Sequence, residues 1–167
     1  GATVVGARPF LVAYNVDINS DDQSLAHEIA LSLREQGRGQ RGPDGKLIKD
    51  AAGNVVRVAG RLKAVRAVGW FIPEFRRAQV SMNLTNFHET PIARVVEFIR
   101  REAQRYGVNI HHCELVGLIP QEALVDAAVW YTQLDQFDKA QILESRLFDS
   151  GPQTADGLSS TVHGLST

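Results

Sequence analysis

Uncharged hydrogen-bonding side chains recur at every second position of RAQVSMNLTN (77–86), where Gln79, Ser81, Asn83 and Thr85 alternate with Val80, Met82 and Leu84. Successive side chains of an extended strand point to opposite faces, so this spacing sets a row of amides and hydroxyls against an apolar row. A strand backed only by solvent usually carries Lys, Glu or Thr. Amides and hydroxyls in a row can instead hydrogen-bond a bound molecule. Two readings stand open at this point, an ordinary solvent face and a ligand face.

Other residues invite a chemical role. Arg8 follows Gly6-Ala7 and precedes Pro9 at the mouth of a strand-like run, where its planar fork of donors could grip a carboxylate or simply bridge to a neighbouring acid. Arg34, Arg38 and Arg41 form a local basic run. The step Gly37-Arg38-Gly39 would let an arginine and bare backbone approach an anion, although a helix C-cap explains Gly37 equally well. His111 and His112 are adjacent, so a regular strand would send their rings to opposite faces, and no Cys or carboxylate stands beside them at zinc-finger spacing; no metal site is expected. Cys113 sits in an apolar strand pattern and reads as a structural thiol. His27 lies off the apolar stripe of a helix and His88 in a loop, positions of surface residues rather than general bases.

The elements that must position these residues follow from periodicity. PFLVAYNVDI (9–18) alternates as a first strand, with Phe10, Val12, Tyr14, Val16 and Ile18 on one face and Leu11, Ala13, Asn15 and Asp17 on the other. Ser20 and Gln23 have capping-box spacing before a helix near 22–36, whose Leu25, Ile29 and Leu33 recur at helical intervals. Residues 37–60 hold six glycines and two turn signals, and read as an excursion shaped like a mobile hairpin. Strands are expected near 63–72, 77–86 and 108–117. A second helix near 91–106 has Thr90-Pro91 as cap and N1 proline, and a stripe of Ile92, Val95, Val96, Ile99 and Ala103. A third helix near 121–134 and a short helical piece at 138–148 follow, then a small, polar, aperiodic tail from 149 that reads as disordered.

The order strand, helix, strand, strand, helix, strand is that of an α+β ferredoxin-like βαββαβ sandwich, with an antiparallel sheet, both helices on one face and an extra C-terminal helix. Phe10, Val12, Tyr14, Val80, Met82 and Leu84 would lie under the helices, and Asn15, Asp17, Gln79, Ser81 and Asn83 on the free face.

The 167 residues suit one domain or half of a two-domain protein, here 1–148 with the 40–60 excursion. With 44% hydrophobic and 22% charged residues the composition is that of a globular chain. Lys plus Arg number 18 against 19 Asp plus Glu, so no net basic field points to nucleic acid. No apolar run reaches the roughly 20 residues that span a bilayer, and no membrane partner is expected. A single cysteine fits a reducing compartment, the cytoplasm. Opening on Gly1 rather than Met leaves open a fragment or a processed product of a longer chain.

Five blocks in order, GARPFLVAYNVDI (6–18), LREQGRG (33–39), KAVRAVGW (63–70), AQVSMNLTN (78–86) and ELVGLIPQEAL (114–124), resemble the C-terminal subdomain of glutamate formiminotransferase, the folate-dependent transferase domain also found fused to a cyclodeaminase. The resemblance covers roughly residues 1–148. It implies transfer of the formimino group of N-formimino-L-glutamate to tetrahydrofolate as co-substrate, in histidine degradation and one-carbon metabolism, without a metal. In that family two ferredoxin-like subdomains face one another with folate in a tunnel between their sheets, so Asn15, Arg38, Gln79, Ser81 and Asn83 are the expected folate and substrate contacts. The arginine of the GAR motif, here Arg8, is implicated in the family's active site. The family's general-base histidine belongs to the N-terminal subdomain, which these residues do not include, so this chain alone is expected to be inactive. No cyclodeaminase part is present in the sequence, and self-association into a homodimer stays open. The competing reading is a non-catalytic folate-binding or ferredoxin-like assembly module.

Overall fold

The computed structural model describes residues 1–149, in two compact units, 1–132 and from Gln133 onward. In the first unit the order is β1 (Val12–Ile18), α1 (Gln23–Leu33), β2 (Arg38–Gly39), β3 (Arg57–Val58), β4 (Val65–Ile72), β5 (Arg77–Leu84), α2 (Ile92–Arg105), β6 (Ile110–Val116) and α3 (Gln121–Thr132). The main sheet is antiparallel with strand order β4-β5-β1-β6, the α+β arrangement that the element order predicted.

The inner face of the sheet is built as the alternation requires. Val12, Val16, Val65, Val80, Met82 and Leu84 are buried against Ala26, Ile29, Ala30 and Leu33 of α1 and Val95, Ile99 and Ala103 of α2. Phe10 departs from the expectation. It is 82% exposed because β1 begins only at Val12, and residues 1–11 form no regular element. Gly69 on β4 explains how closely α1 sits: a Cβ there would run into the backbone of Ala26 and His27, so only glycine lets this helix lie directly on the strand.

Caps also differ from the sequence reading. The N-cap of α1 is Asp22, whose Oδ1 accepts from the backbone of Ser24 at 2.8 Å and Leu25 at 3.4 Å, while Ser20 Oγ accepts from the Asp22 N–H one turn earlier. Pro91 is the N-cap of α2. The Thr90 hydroxyl is buried and donates to the Lys63 carbonyl at 2.7 Å, tying the helix entry to the start of β4 rather than capping the helix. The helix α1 ends at Leu33, because Arg34 turns to extended backbone and Gly37 then adopts φ +59° against the Val58 carbonyl.

The excursion after Gly37 is a two-stranded antiparallel sheet, β2 with β3, prolonged by bridges between Arg41 and Leu47 and between Lys49 and Val55. On α3 the buried residue is Ala123, whereas Leu124 and Tyr131 are exposed. A small residue facing the core lets the helix approach, and the larger side chains stay outside.

Among the described residues the second unit holds a 3₁₀ turn (Lys139–Gln141) and α4 (Leu143–Asp149). Asp138 and Gln141 form a capping box, with Asp138 Oδ1 accepting from Ala140 N and Gln141 Oε1 from Asp138 N, each at 2.8 Å. The remainder of the expected tail, 150–167, lies outside the described residues. No helix among the described residues is long and apolar enough to cross a membrane.

Gly69→Val should test the close approach of α1 most sharply. The added side chain has backbone on its far side, so a loss of about 1–3 kcal/mol or more is expected, read as a lower denaturation midpoint. An unchanged midpoint would show that α1 is not seated on β4.

Candidate functional site

The face of the sheet turned away from α1 and α2 collects the polar residues of all four strands. Cross-strand register places Asn15 opposite Ser81 and Glu114, Asp17 opposite Gln79 and His112, and Asn83 opposite Ala13 and Arg66. Directly opposed residues of antiparallel strands share a face, so Asn15, Asp17, Arg66, Trp70, Gln79, Ser81, Asn83, His112 and Glu114 line one surface. Of the candidates named from sequence, Asn15, Gln79, Ser81 and Asn83 meet here. Arg38 does not. Its guanidinium turns to α1, where Nη1 lies 2.8 Å from Glu28 Oε2 and Nη2 donates to Ser32 Oγ at 2.9 Å. Arg8 stands exposed just ahead of β1, where its Nη1 donates to the Pro9 carbonyl at 3.1 Å.

The amides are already engaged within the protein. Gln79 Nε2 donates to Asp17 Oδ1 at 2.7 Å, and Asn15 Nδ2 to Glu114 Oε2 at 3.0 Å. Asp17 is only 1% exposed although it lies on the free face. A buried carboxylate is costly unless hydrogen-bonded or paired, and besides Gln79 its Oδ2 has His112 Nε2 at 3.5 Å, an ion-pair distance. The donors of Gln79 and Asn15 therefore hold acids in place, leaving Ser81 and the exposed Asn83 to present their hydrogen-bonding groups on this face. Trp70, half-exposed on β4 across from Gln79, adds an aromatic surface, and Arg66 a cation.

Sequence reasoning missed Arg66, Trp70, His112 and Glu114. Their signal was the same two-residue alternation in KAVRAVGWFI and VNIHHCELVG, once those strands are placed in register with β5 and β1. A regular strand would also send the rings of His111 and His112 to opposite faces. Their Nδ1 atoms are 2.8 Å apart, because the β1–β6 register shifts at Asp17/Ile18 and makes His111 an extra residue in the ladder.

Beneath the sheet, Cys113 and Tyr14 pack against the core. Burial raises the Cys113 thiol above its ordinary value, and burial first, then the contact with Cys113, raises Tyr14. Both shifts favour the neutral form of the group. Outside the free face a cavity of about 710 Å³ lies on the helix layer and is lined by Arg61, His88, Arg94, Phe98, Arg101 and Trp130. His88 there lies 3.5 Å from Glu122, and His27 is exposed on α1.

An antiparallel sheet with helices on one side and a polar, partly charged surface on the other defines an open-faced α+β domain able to seat a polar ligand or a second domain. The chain belongs to the formiminotransferase domain family, whose model matches residues 13–147. It is 39% identical over 147 residues to the glutamate formimidoyltransferase of Thermoplasma acidophilum, covering 88% of this chain and 41% of that protein. It is 38% identical over 148 residues to the Streptococcus pyogenes enzyme of the same name, with 88% and 42% covered. The formimidoyltransferase-cyclodeaminase of Rattus norvegicus is 45% identical over 131 residues, 78% of this chain and 21% of that protein. The chain thus spans about two fifths of the former relatives and one fifth of the latter.

Two measurements probe the network. Gln79→Ala removes a donor from a buried carboxylate and should cost about 1–3 kcal/mol in chemical denaturation, whereas Asn15→Ala, beside an exposed acid, should stay within about 0.5 kcal/mol. Equal losses would contradict the assignment of Asp17 as the group that requires a partner. Because a raised thiol pKa leaves less thiolate at any given pH, alkylation of Cys113 at pH 8 should be at least about tenfold slower in the folded than in the unfolded chain. Equal rates would place the thiol outside the core.

Proposed function

We propose that this chain is one wall of a formiminotransferase active site, acting with a complementary N-terminal half in transfer of the formimino group from N-formimino-L-glutamate to tetrahydrofolate. The observation that carries the reading is the match of residues 13–147 to the formiminotransferase domain, reinforced by relatives named for glutamate formimidoyl transfer. Support for the location of the wall comes from the free sheet face, where Asn15, Ser81 and Asn83 lie together. Histidine degradation and one-carbon metabolism in the cytoplasm, where a lone Cys113 stays reduced, complete the proposal.

The chemistry sets what the wall must do. The secondary amine of tetrahydrofolate attacks the formimidoyl carbon, a tetrahedral intermediate forms, and the bond from that carbon to the glutamate nitrogen breaks with its electron pair going to nitrogen. One proton leaves the attacking amine and one reaches the departing nitrogen. Resemblance to the family assigns the base for the first proton to the N-terminal half. Positioning, hydrogen bonding and exclusion of water fall to this half. Trp70 offers a flat surface on which a planar ring can stack, and hydrogen-bonding oxygens beside it can receive ring N–H groups.

Arg8 is the group proposed to hold a carboxylate. Among the described residues its fork contacts only the adjacent carbonyl, and it lies at the entry to β1, an inner strand of the sheet. Arg38, on the α1 side with Glu28 and Ser32, is left out of the contact set.

In the complete protein Arg8→Ala should lower kcat/KM roughly ten- to a hundredfold, matching loss of a charge-assisted contact of about 1.5–3 kcal/mol, with the melting midpoint unchanged. Arg8→Lys should rescue little, since an ammonium lacks the planar fork. Unchanged kinetics would remove Arg8 from the site. This chain by itself should show no turnover, because a positioned base contributes about 10²–10⁴ in rate. Transfer at the rate of the complete protein would contradict the two-half reading.

A further inference from the structure

His111 and His112 carry an arrangement that neither the fold nor the proposed ligand wall requires. Their Nδ1 atoms lie 2.8 Å apart, a distance that holds when a single proton sits between them: with none, two lone pairs face each other, and with two, the N–H groups collide. His112 Nε2 faces Asp17 Oδ2 at 3.5 Å, and the carboxylate is fixed from its other oxygen by Gln79 at 2.7 Å. His111 Nε2 has no hydrogen-bond partner among the described residues. The row therefore runs Gln79, Asp17, His112, His111, from a buried anion to a free ring nitrogen.

The backbone contributes as well. His111 is the extra residue at the β1–β6 register shift, so it is released from the ladder and can turn its ring toward that of His112. Neighbouring strand residues in a regular ladder would not meet. Bulges of this kind commonly re-aim side chains beside functional sites. Other charged groups around the row are Glu114 two residues along β6, and Arg76, Arg77 and Asp21, which with His111 line a shallow cleft at the end of the sheet.

We propose that His111 and His112, anchored on Asp17, form a two-imidazole proton donor serving the glutamate nitrogen that departs in formimino transfer; this rests on the functional reading above. In the loaded state the pair shares one positive charge facing the buried carboxylate, with hydrogens on His112 Nε2, between the two Nδ1 atoms and on His111 Nε2. As the bond from carbon to the glutamate nitrogen breaks, the electron pair goes to nitrogen, which takes the His111 Nε2 hydrogen. The hydrogen between the rings stays on His111 Nδ1, and the pair becomes neutral. A proton from water reloads it. His111 is the donor, while His112 and Asp17 position it and balance its charge, which complements a base in the other half that handles only the first proton.

The test uses the complete protein and two readouts. In transfer assays His111→Gln should lower kcat by about 10²–10⁴, the usual contribution of a positioned proton donor, with KM within about threefold and the melting midpoint unchanged. His112→Phe, which breaks the anchor, should lower kcat in the same direction. Nitrogen-15 spectra of the histidine rings should show one hydrogen shared by the two Nδ1 atoms in the wild type, lost in His112→Phe. Wild-type kcat in both variants, or Nδ1 atoms of both rings bare in the spectra, would overturn the proposal. If the wild type transfers no formimino group, the functional reading fails by itself, and the spectra then decide whether the proton-sharing pair exists.

Discussion

A carboxylate enclosed on the free side of the sheet organises everything around it. Asp17 sits in the central strand, 1% exposed, and cannot be left there without donors. Gln79 reaches it from β5 and His112 approaches it from β6, so β5, β1 and β6 are tied through this one carboxylate as well as by their ladders. Because the anion is fixed, the groups around it acquire fixed orientations. The Gln79 amide is turned to the acid, the His112 ring is held against its neighbour, and the surface becomes a patterned one rather than a generic solvated face.

The opposite side is governed by packing. Val12, Val16, Val80 and Leu84 fill the space under the helices, and Gly69 removes the one side chain that would keep α1 off β4. The two faces depend on the same alternation, so a slip of one residue in any strand would exchange core and site together. Burial on one side thus fixes the register that brings Asp17, Gln79 and His112 into line on the other.

Much of this was legible in the amino-acid order. Alternation in 77–86 set apart Val80, Met82 and Leu84 from Ser81 and Asn83, and the helical stripe Ile92, Val95, Val96, Ile99 and Ala103 is buried as expected. What remained hidden was relational. That Gln79 binds Asp17, 62 residues earlier, follows from strand pairing and not from either segment. The contact of His111 with His112 depends on an irregularity between two strands, which a single strand's period cannot reveal. Phe10 misled because an apolar residue in phase with a strand looks the same whether or not pairing extends to it. The basic run at Arg38 shows charge but not the Glu28 that meets it.

The two tryptophans separate the free sheet face from its rival most directly. Trp70 lies on the sheet face and Trp130 lines the cavity on the helix layer. Their indole N–H resonances, followed in the complete protein as tetrahydrofolate is added without oxygen, report the two places separately. The account predicts that Trp70 shifts with saturating dependence while Trp130 stays in place. A saturating shift of Trp130 with Trp70 unmoved would put the ligand on the helix layer and contradict it.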